Sequence, residues 1–185
     1  MCSSLMMVIG LTLFWGGEAA AHPYGEPDAA VPEAAQFQYC RGKWLVTIEA
    51  RDEQGHLKPM ETQGPIISIG RYLEDGRTFQ TTFSVNRGKA FFSTQLKAWH
   101  TERKRWVNSF VNARDQRWVS SDSFWRDGEM VTLVYAGYTA KEPYMSRETD
   151  KDIGKNRFVK VVQQSHDGGA TWGRPAYILT YTRIE

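Results

Sequence analysis

The chain has 185 residues, of which 41% are hydrophobic and 24% are charged, with 23 basic against 21 acidic side chains. This composition is typical of a globular protein. The basic residues are scattered between predicted strands and do not form a block, which argues against nucleic acid as a partner.

The first 21 residues predict a secretory signal peptide. Residues 5–15 form an apolar run, broken only by Gly10 and Thr12, that is too short to span a bilayer. Small residues follow it, so we expect cleavage between Ala21 and His22 and a mature chain that is secreted or periplasmic, with no membrane span. An uncleaved membrane anchor is the alternative, because no Lys or Arg occurs in this segment.

Cleavage would leave 164 residues with a net charge of +3, since Glu18 is the only charged residue removed. This length is usual for one domain with its own core. Cys40 would be the one remaining cysteine, so we expect no internal disulfide. We expect Cys40 to be a small buried hydrophobe, with a reactive or intermolecular thiol as the alternative.

Residues 22–38 predict an N-terminal arm followed by a short helix. Segment 22–33 is rich in Pro, Ala and Gly, which is typical of an exposed arm. Segment 32–39 can form one helical turn, after which the pattern changes to the period of two that marks β-strands.

Nine segments rich in β-branched and aromatic residues predict strands, and Asp-Gly and Asn-x-Gly turn signals separate many of them. They are 43–50, 66–72, 78–86, 90–100, 105–113, 117–126, 130–138, 156–164 and 176–184. Segment 139–155, with Pro143 and alternating charges, predicts a long loop or a short helix.

The spacing of these strands favours an all-β, antiparallel fold of about nine or ten strands. No helical segment of useful length lies between them, and parallel strands would need such crossovers. Consecutive hairpins must remove their sheet edges, either by closing into an up-and-down barrel or by splitting into a sandwich. We expect closure.

Two positions far apart in the chain suggest how such a barrel closes. Gly42-Lys43-Trp44 opens the first predicted strand, and Arg183 lies near the end of the last one. The chain here resembles the calycin superfamily, lipocalins and their relatives, in which a Gly-x-Trp packs beneath an arginine of the final strand. The resemblance implies a lipocalin-like barrel over residues 39–185, with Gly42, Trp44 and Arg183 in structural roles. A guanidinium over an indole face also gains a cation–π contact.

A looser similarity points the same way. Residues 71–79 and the closing Tyr181-Thr182-Arg183 are similar to a group of secreted bacterial lipocalin-like domains of unsettled function. That similarity implies no catalytic residues.

The stretch Ser165-His166-Asp167-Gly168-Gly169-Ala170-Thr171-Trp172 matches Ser-x-Asp-x-Gly-x-Thr-Trp and resembles the Asp-box hairpin of sialidase-type propellers. A propeller needs this unit repeated through at least four blades, and the chain holds one full copy. We therefore expect a rigid turn in which Asp167, Gly169 and Trp172 are structural.

The sequence has no spacing typical of a metal, cofactor or phosphate site, so we predict none. The weak catalytic candidates are Asp122, His100 and Tyr138. Asp122 would be a buried carboxylate if the even-numbered face of its strand points inward, and a solvated one in the opposite register.

The aromatic content of the middle of the chain favours a ligand cavity over catalysis. The predicted ligand-binding residues are Phe83, Gln95, Trp106, Asn108 and Trp118, and the predicted partner is a small hydrophobic or aromatic molecule. Three alternatives stay open. The aromatics fill the core and coat the outer face, or the barrel is an isomerase, lyase or hydrolase acting on a lipophilic substrate, or it is a protein-interaction module.

Overall fold

A computed structural model describes residues 22–113, 116–135 and 144–185. Two 3-10 helices, η1 and η2, accompany eleven strands. The elements are η1 (Pro32–Cys40), β1 (Gly42–Arg51), β2 (Leu57–Pro59), β3 (Ile66–Tyr72), β4 (Thr78–Val85), η2 (Asn86–Gly88), β5 (Phe91–His100), β6 (Arg105–Asn112), β7 (Arg117–Arg126), β8 (Glu129–Val134), β9 (Met145–Lys151), β10 (Arg157–Ser165) and β11 (Tyr177–Arg183).

Ten of these strands form a closed antiparallel barrel, which confirms the predicted fold class. The strands from β3 to β11 pair with their neighbours in chain order, and β1 pairs with both β3 and β11. Closure pairs Trp44 with Arg183 and Ala50 with Tyr177. This closure leaves no open edge in the ring. The architecture is compatible with a lipocalin-like fold.

The structure corrects the prediction for segment 139–155. Its described part contains β9, which pairs with β8 and β10, in place of a long loop or helix. The inward residues of β9 are polar, so the strand lacks the apolar alternation that marks a half-buried strand. The short strand β2, which pairs with the end of β1, was also missed. The predicted strand 130–138 ends at Val134, and its residues 136–138 lie outside the described part.

Side chains alternate between the barrel interior and its outer face along every strand. On β1 the inward residues include Trp44 and Val46, which pack with Ile66, Phe158 and Tyr181 in one core cluster. The wall formed by β1, β3 and β11 is therefore largely apolar, whereas β10 adds Lys160 between the inward residues Phe158 and Val162. The wall from β5 to β9 buries many serine, threonine and amide side chains.

The predicted helical turn is present as η1, and it packs against one end of the barrel. Phe37 of η1 stacks on Phe79, with ring centroids 5.4 Å apart, and meets the edge of Trp106 at 4.9 Å. The Tyr72 hydroxyl donates a hydrogen bond to the carbonyl of Ala34. These contacts make η1 the plug of this end.

Within the described ranges, no helix has the length and apolar character needed to cross a membrane.

Candidate ligand cavity

The barrel interior holds a cavity of about 330 Å³, at the lower end of the range for small-molecule sites. Aromatic and aliphatic side chains from many strands line it, among them Phe83, Phe91, Phe110, Val162 and Leu179. Two lysines and two carboxylates line it as well: Lys97, Lys160, Glu148 and Asp150. The cavity therefore combines apolar walls with a charged region.

The strand pair that closes the barrel is held by a cation over an aromatic ring. The guanidinium carbon of Arg183 lies 4.2 Å from the centroid of the Trp44 ring. The same guanidinium donates hydrogen bonds to the carbonyls of Tyr39, Arg41 and Lys155. Gly42, at φ +113°, has no room for a Cβ, which would collide with this guanidinium. Trp44 itself is 1% exposed and donates through Nε1 to the carbonyl of Cys40.

Lys160 of β10 is held between two carboxylates of β9. Its Nζ lies 2.9 Å from Glu148 Oε2 and 3.1 Å from Asp150 Oδ1. Burial opposes the charge on Lys160, but the two carboxylates outweigh it and raise the pKa of this lysine well above its ordinary value. Lys160 is therefore an ammonium throughout the physiological range.

Asp150 also links this cluster to the plug. The Tyr39 hydroxyl of η1 donates to Asp150 Oδ2 at 2.5 Å. Burial, followed by the charge of Asp150, raises the pKa of Tyr39 well above its ordinary value. Burial likewise raises the pKa of the Cys40 thiol to about 12, and this thiol donates to the carbonyl of Phe37. Cys40 is thus a protonated, half-buried group of the cavity wall.

Lys97 of β5 stands on the opposite side of the cavity in different surroundings. Its Nζ donates to Thr81 Oγ1 at 2.7 Å and lies 5.2 Å from the Phe37 ring centroid and 5.6 Å from that of Phe79. In the described part of the chain it makes no ion pair with a carboxylate.

The surroundings of Lys97 make its charged form unfavourable. Its residue is 6% exposed, and desolvation lowers the pKa of its amine to about 8. The charges of Lys160, Asp150 and Glu148 and the thiol of Cys40 act on it with opposing signs and do not offset the burial. A cation–π attraction to two phenyl rings compensates only part of this cost.

The predicted ligand-binding residues fall into three groups. Phe83 and Gln95 line the cavity. Trp106 and Asn108 point inward but do not line it. Trp106 is fully buried against η1 and donates to Gln36, and Asn108 donates to the hydroxyls of Ser121 and Ser123.

Trp118 corrects the prediction made for it. It is 66% exposed, and its strand pairs Val119 with Phe110 of the cavity wall, so odd-numbered residues of β7 face inward and Trp118 faces outward. It therefore cannot contact a ligand inside the barrel.

Asp122 shares the outer face of β7 with Trp118, so the inward register considered for it is wrong. It is nevertheless only 3% exposed, because three donors cover one of its oxygens. Arg103 and Arg105 lie 2.6 and 3.2 Å from Oδ2, and the Tyr135 hydroxyl donates to the same atom at 2.8 Å. Neither predicted state, buried inside or solvated outside, describes it.

The other two catalytic candidates are not brought to the cavity by the described structure. His100 is the last residue of β5, pairs with Arg105 and does not line the cavity. Tyr138 lies outside the described residues. In the described part of the chain no group of three or more His, Cys, Asp or Glu side chains could hold a metal ion.

The stretch that resembles an Asp-box forms a tight turn after β10. The Asp167 carboxylate accepts hydrogen bonds from the Ser165 hydroxyl and from the backbone and side chain of Thr171. These bonds hold the pKa of Asp167 well below its ordinary value. Gly169 has φ +94°, and the Arg147 guanidinium lies 4.7 Å from the Trp172 ring. The turn sits between the last two strands, as a connection and not as a blade.

Sequence reasoning missed the charged residues of the cavity. Lys97 and Lys160 occupy inward positions of strands whose neighbouring inward residues include Gln95, Phe158 and Val162. A lysine on the inward side of a predicted strand was the available signal, because lysines are almost never fully buried without a partner.

Neither a known family model nor a curated protein matches this sequence. The fold and the site still assign the chain to a class: it is a closed up-and-down β-barrel whose internal cavity is lined by aromatic and aliphatic side chains together with two lysines and two carboxylates.

Proposed function

We propose that this protein is a secreted or periplasmic, lipocalin-like module of the calycin type that binds a small, largely hydrophobic or aromatic molecule inside the barrel. The observation that carries the proposal is the cavity of about 330 Å³ inside the barrel, with its aromatic lining. Phe83 supplies apolar contact, and the Gln95 amide is available to orient a polar group of the ligand.

The charged side chains refine the class of ligand. A wholly apolar molecule would offer Lys97 no hydrogen-bond acceptor beyond the one that Thr81 already supplies. A ligand with one polar end can place that end beside Lys97 and its apolar body against Phe83 and Phe91. We therefore favour an amphipathic ligand over a plain hydrocarbon.

The test is a fluorescence-quenching screen over fatty acids, flavonoids, haem and aromatic aldehydes, repeated on two variants of β5. Ser93→Phe fills the cavity, because Ser93 is buried and lines it. Ala98→Phe adds the same side chain on the exposed outer face. We expect one-to-one binding that Ser93→Phe abolishes and Ala98→Phe retains, with thermal unfolding showing that both variants are folded.

Two results would defeat the proposal. One is that no compound of the screen binds the wild-type protein. The other is that Ser93→Phe and Ala98→Phe bind equally well, which would place binding outside the barrel.

A second candidate is an enzyme that acts on a lipophilic substrate, and one observation favours it. Titratable side chains face each other across the cavity, namely Lys97 and the cluster of Lys160, Glu148 and Asp150. Such groups can serve as acids, bases or nucleophiles. Turnover of a bound compound that Lys97→Met abolishes, without loss of affinity, would favour catalysis over binding alone.

A further inference from the structure

The two cavity lysines differ in one chemical respect: how readily the nitrogen gives up its proton and exposes a lone pair. Lys160 is held as an ammonium by Glu148 and Asp150, so its lone pair is occupied by a proton. Lys97 has no carboxylate partner in the described ranges, and its surroundings are Thr81 and the rings of Phe37 and Phe79. An uncharged lysine in an apolar pocket is a nucleophile, and carbonyl compounds are its usual targets.

We propose that the amine of Lys97 condenses with the carbonyl group of an aldehyde or ketone ligand and holds it as an imine. This inference rests on the proposed ligand-binding function and names the chemical class of the ligand. The carbonyl carbon carries an apolar or aromatic substituent, because Phe83, Phe91 and Phe110 line the rest of the cavity.

The step needs no oxidant or reductant. The lone pair of Lys97 Nζ forms a bond to the carbonyl carbon, and the electrons of the C=O π bond move to the oxygen. The C–O bond then breaks as the C=N bond forms, and both protons of the amine leave with the oxygen as water.

The charges around Lys97 favour a carbonyl over a carboxylate ligand. Glu148 and Asp150 line the same cavity and would repel a third carboxylate placed beside Lys97. A carbonyl group carries no charge into the site. The low basicity of the amine acts in the same direction: with a pKa of about 8, roughly a tenth of Lys97 is neutral at pH 7, against roughly 0.03% of an ordinary exposed lysine.

The experiment traps the linkage. The protein is incubated with cinnamaldehyde and sodium cyanoborohydride, which reduces an imine to a stable secondary amine, and the modified lysines are mapped by mass spectrometry. We expect Lys97 to be labelled first, with an initial rate at least tenfold above that of each exposed lysine. We also expect its rate to rise with pH and level off near pH 8, whereas the rates of exposed lysines keep rising.

Two variants control the position of the label. Lys97→Met should remove the fast label and leave the slow surface labels, with circular dichroism showing an intact barrel. Lys89→Met removes an exposed lysine and should leave the fast label unchanged. If Lys97 is labelled no faster than Lys89, the proposal that Lys97 forms an imine is wrong.

Cinnamyl alcohol separates this inference from the proposed function, because it has nearly the same shape and no carbonyl. If the alcohol quenches tryptophan fluorescence in the wild-type protein but not in Ser93→Phe, while the aldehyde leaves Lys97 unlabelled, the imine is wrong and the binding function stands. If neither compound nor any member of the ligand screen binds, the binding function fails together with the imine.

Discussion

Two lysines that point into the same cavity from opposite walls have opposite surroundings: Lys97 is buried and Lys160 is half-buried. Strands β5 and β10 are five strands apart in either direction around the ten-strand ring. On β10, Lys160 is neutralised by two carboxylates of β9. On β5, Lys97 has a hydroxyl and two phenyl rings. The difference teaches that burial alone does not decide the state of a lysine, since its partners do.

The two lysines also differ in their effect on the stability of the protein. The cluster of Lys160, Glu148 and Asp150 holds the wall together, and removing its one cation leaves two carboxylates, one of them buried, without that cation. A buried amine without a carboxylate costs stability in the free protein. Such a cost is typical of groups kept for a ligand.

The largest expected effect comes from breaking the paired side. Lys160→Met leaves Glu148 and Asp150 without their shared cation, and we expect a loss of about 3 to 5 kcal/mol in the free energy of unfolding, measured by urea denaturation. Adding Glu148→Gln and Asp150→Asn to this variant should recover part of the loss. A loss below about 1 kcal/mol would mean that the cluster behaves as a surface ion pair.

The opposite change is expected on the unpaired side. The folded pKa of Lys97, about 8, lies below its ordinary value of 10.5, so the unfolded chain binds more protons between these two pH values. Stability should therefore rise as pH rises from about 8 towards 10.5, and below pH 8 the full cost of about 3 kcal/mol is present.

Lys97→Met removes that cost. We expect it to stabilise the protein at pH 7 by about 2 to 3 kcal/mol and to flatten the rise in stability above pH 8, both measured by urea denaturation across pH. A destabilised Lys97→Met variant with an unchanged pH profile would contradict the contrast between the two lysines.

Arg183 shows how a cation behaves when carbonyls and an indole replace carboxylates as partners. Arg183→Met removes the guanidinium from Trp44 and leaves the carbonyls of Arg41 and Lys155 without this donor. We expect a loss of about 2 kcal/mol in the free energy of unfolding, seen as a lower midpoint in thermal unfolding. A gain in stability would mean that Arg183, like Lys97 and unlike Lys160, lowers the free energy of unfolding.

The smallest effect is expected outside the barrel. Trp118→Ser should change the free energy of unfolding by less than about 0.5 kcal/mol and leave ligand affinity unchanged, because Trp118 faces solvent. Phe83→Ala, on the inside, should weaken binding about tenfold in the same quenching assay. Equal losses from both variants would mean that the ligand sits on the outer face.

The fold was predictable where local pattern and tertiary role agree. On β1 and β4, apolar residues alternate with polar ones, and the apolar face points inward. The contact between Trp44 and Arg183 was predicted from the resemblance to the calycin superfamily, and it joins the first and last strands of the barrel. Register was harder to predict: a shift of one residue on β7 decides whether Trp118 and Asp122 face the cavity or the solvent.

The charged part of the site was not predictable from alternation. Ser146, Glu148 and Asp150 face inward on β9. Because these residues are polar, the strand was not predicted. Their burial makes sense only with Lys160, which lies on another strand and pairs with Asp150 in register. The pattern of residues within one strand cannot show that a charge on it is compensated by a side chain of the neighbouring strand.

The state of Lys97 can be measured directly. In a nuclear magnetic resonance titration of protein with labelled lysine side chains, the account predicts that Lys97 loses its proton with a midpoint near pH 8, while Lys160 keeps its proton beyond the range of the exposed lysines. A midpoint for Lys97 near 10.5, together with those of the surface lysines, would contradict the account.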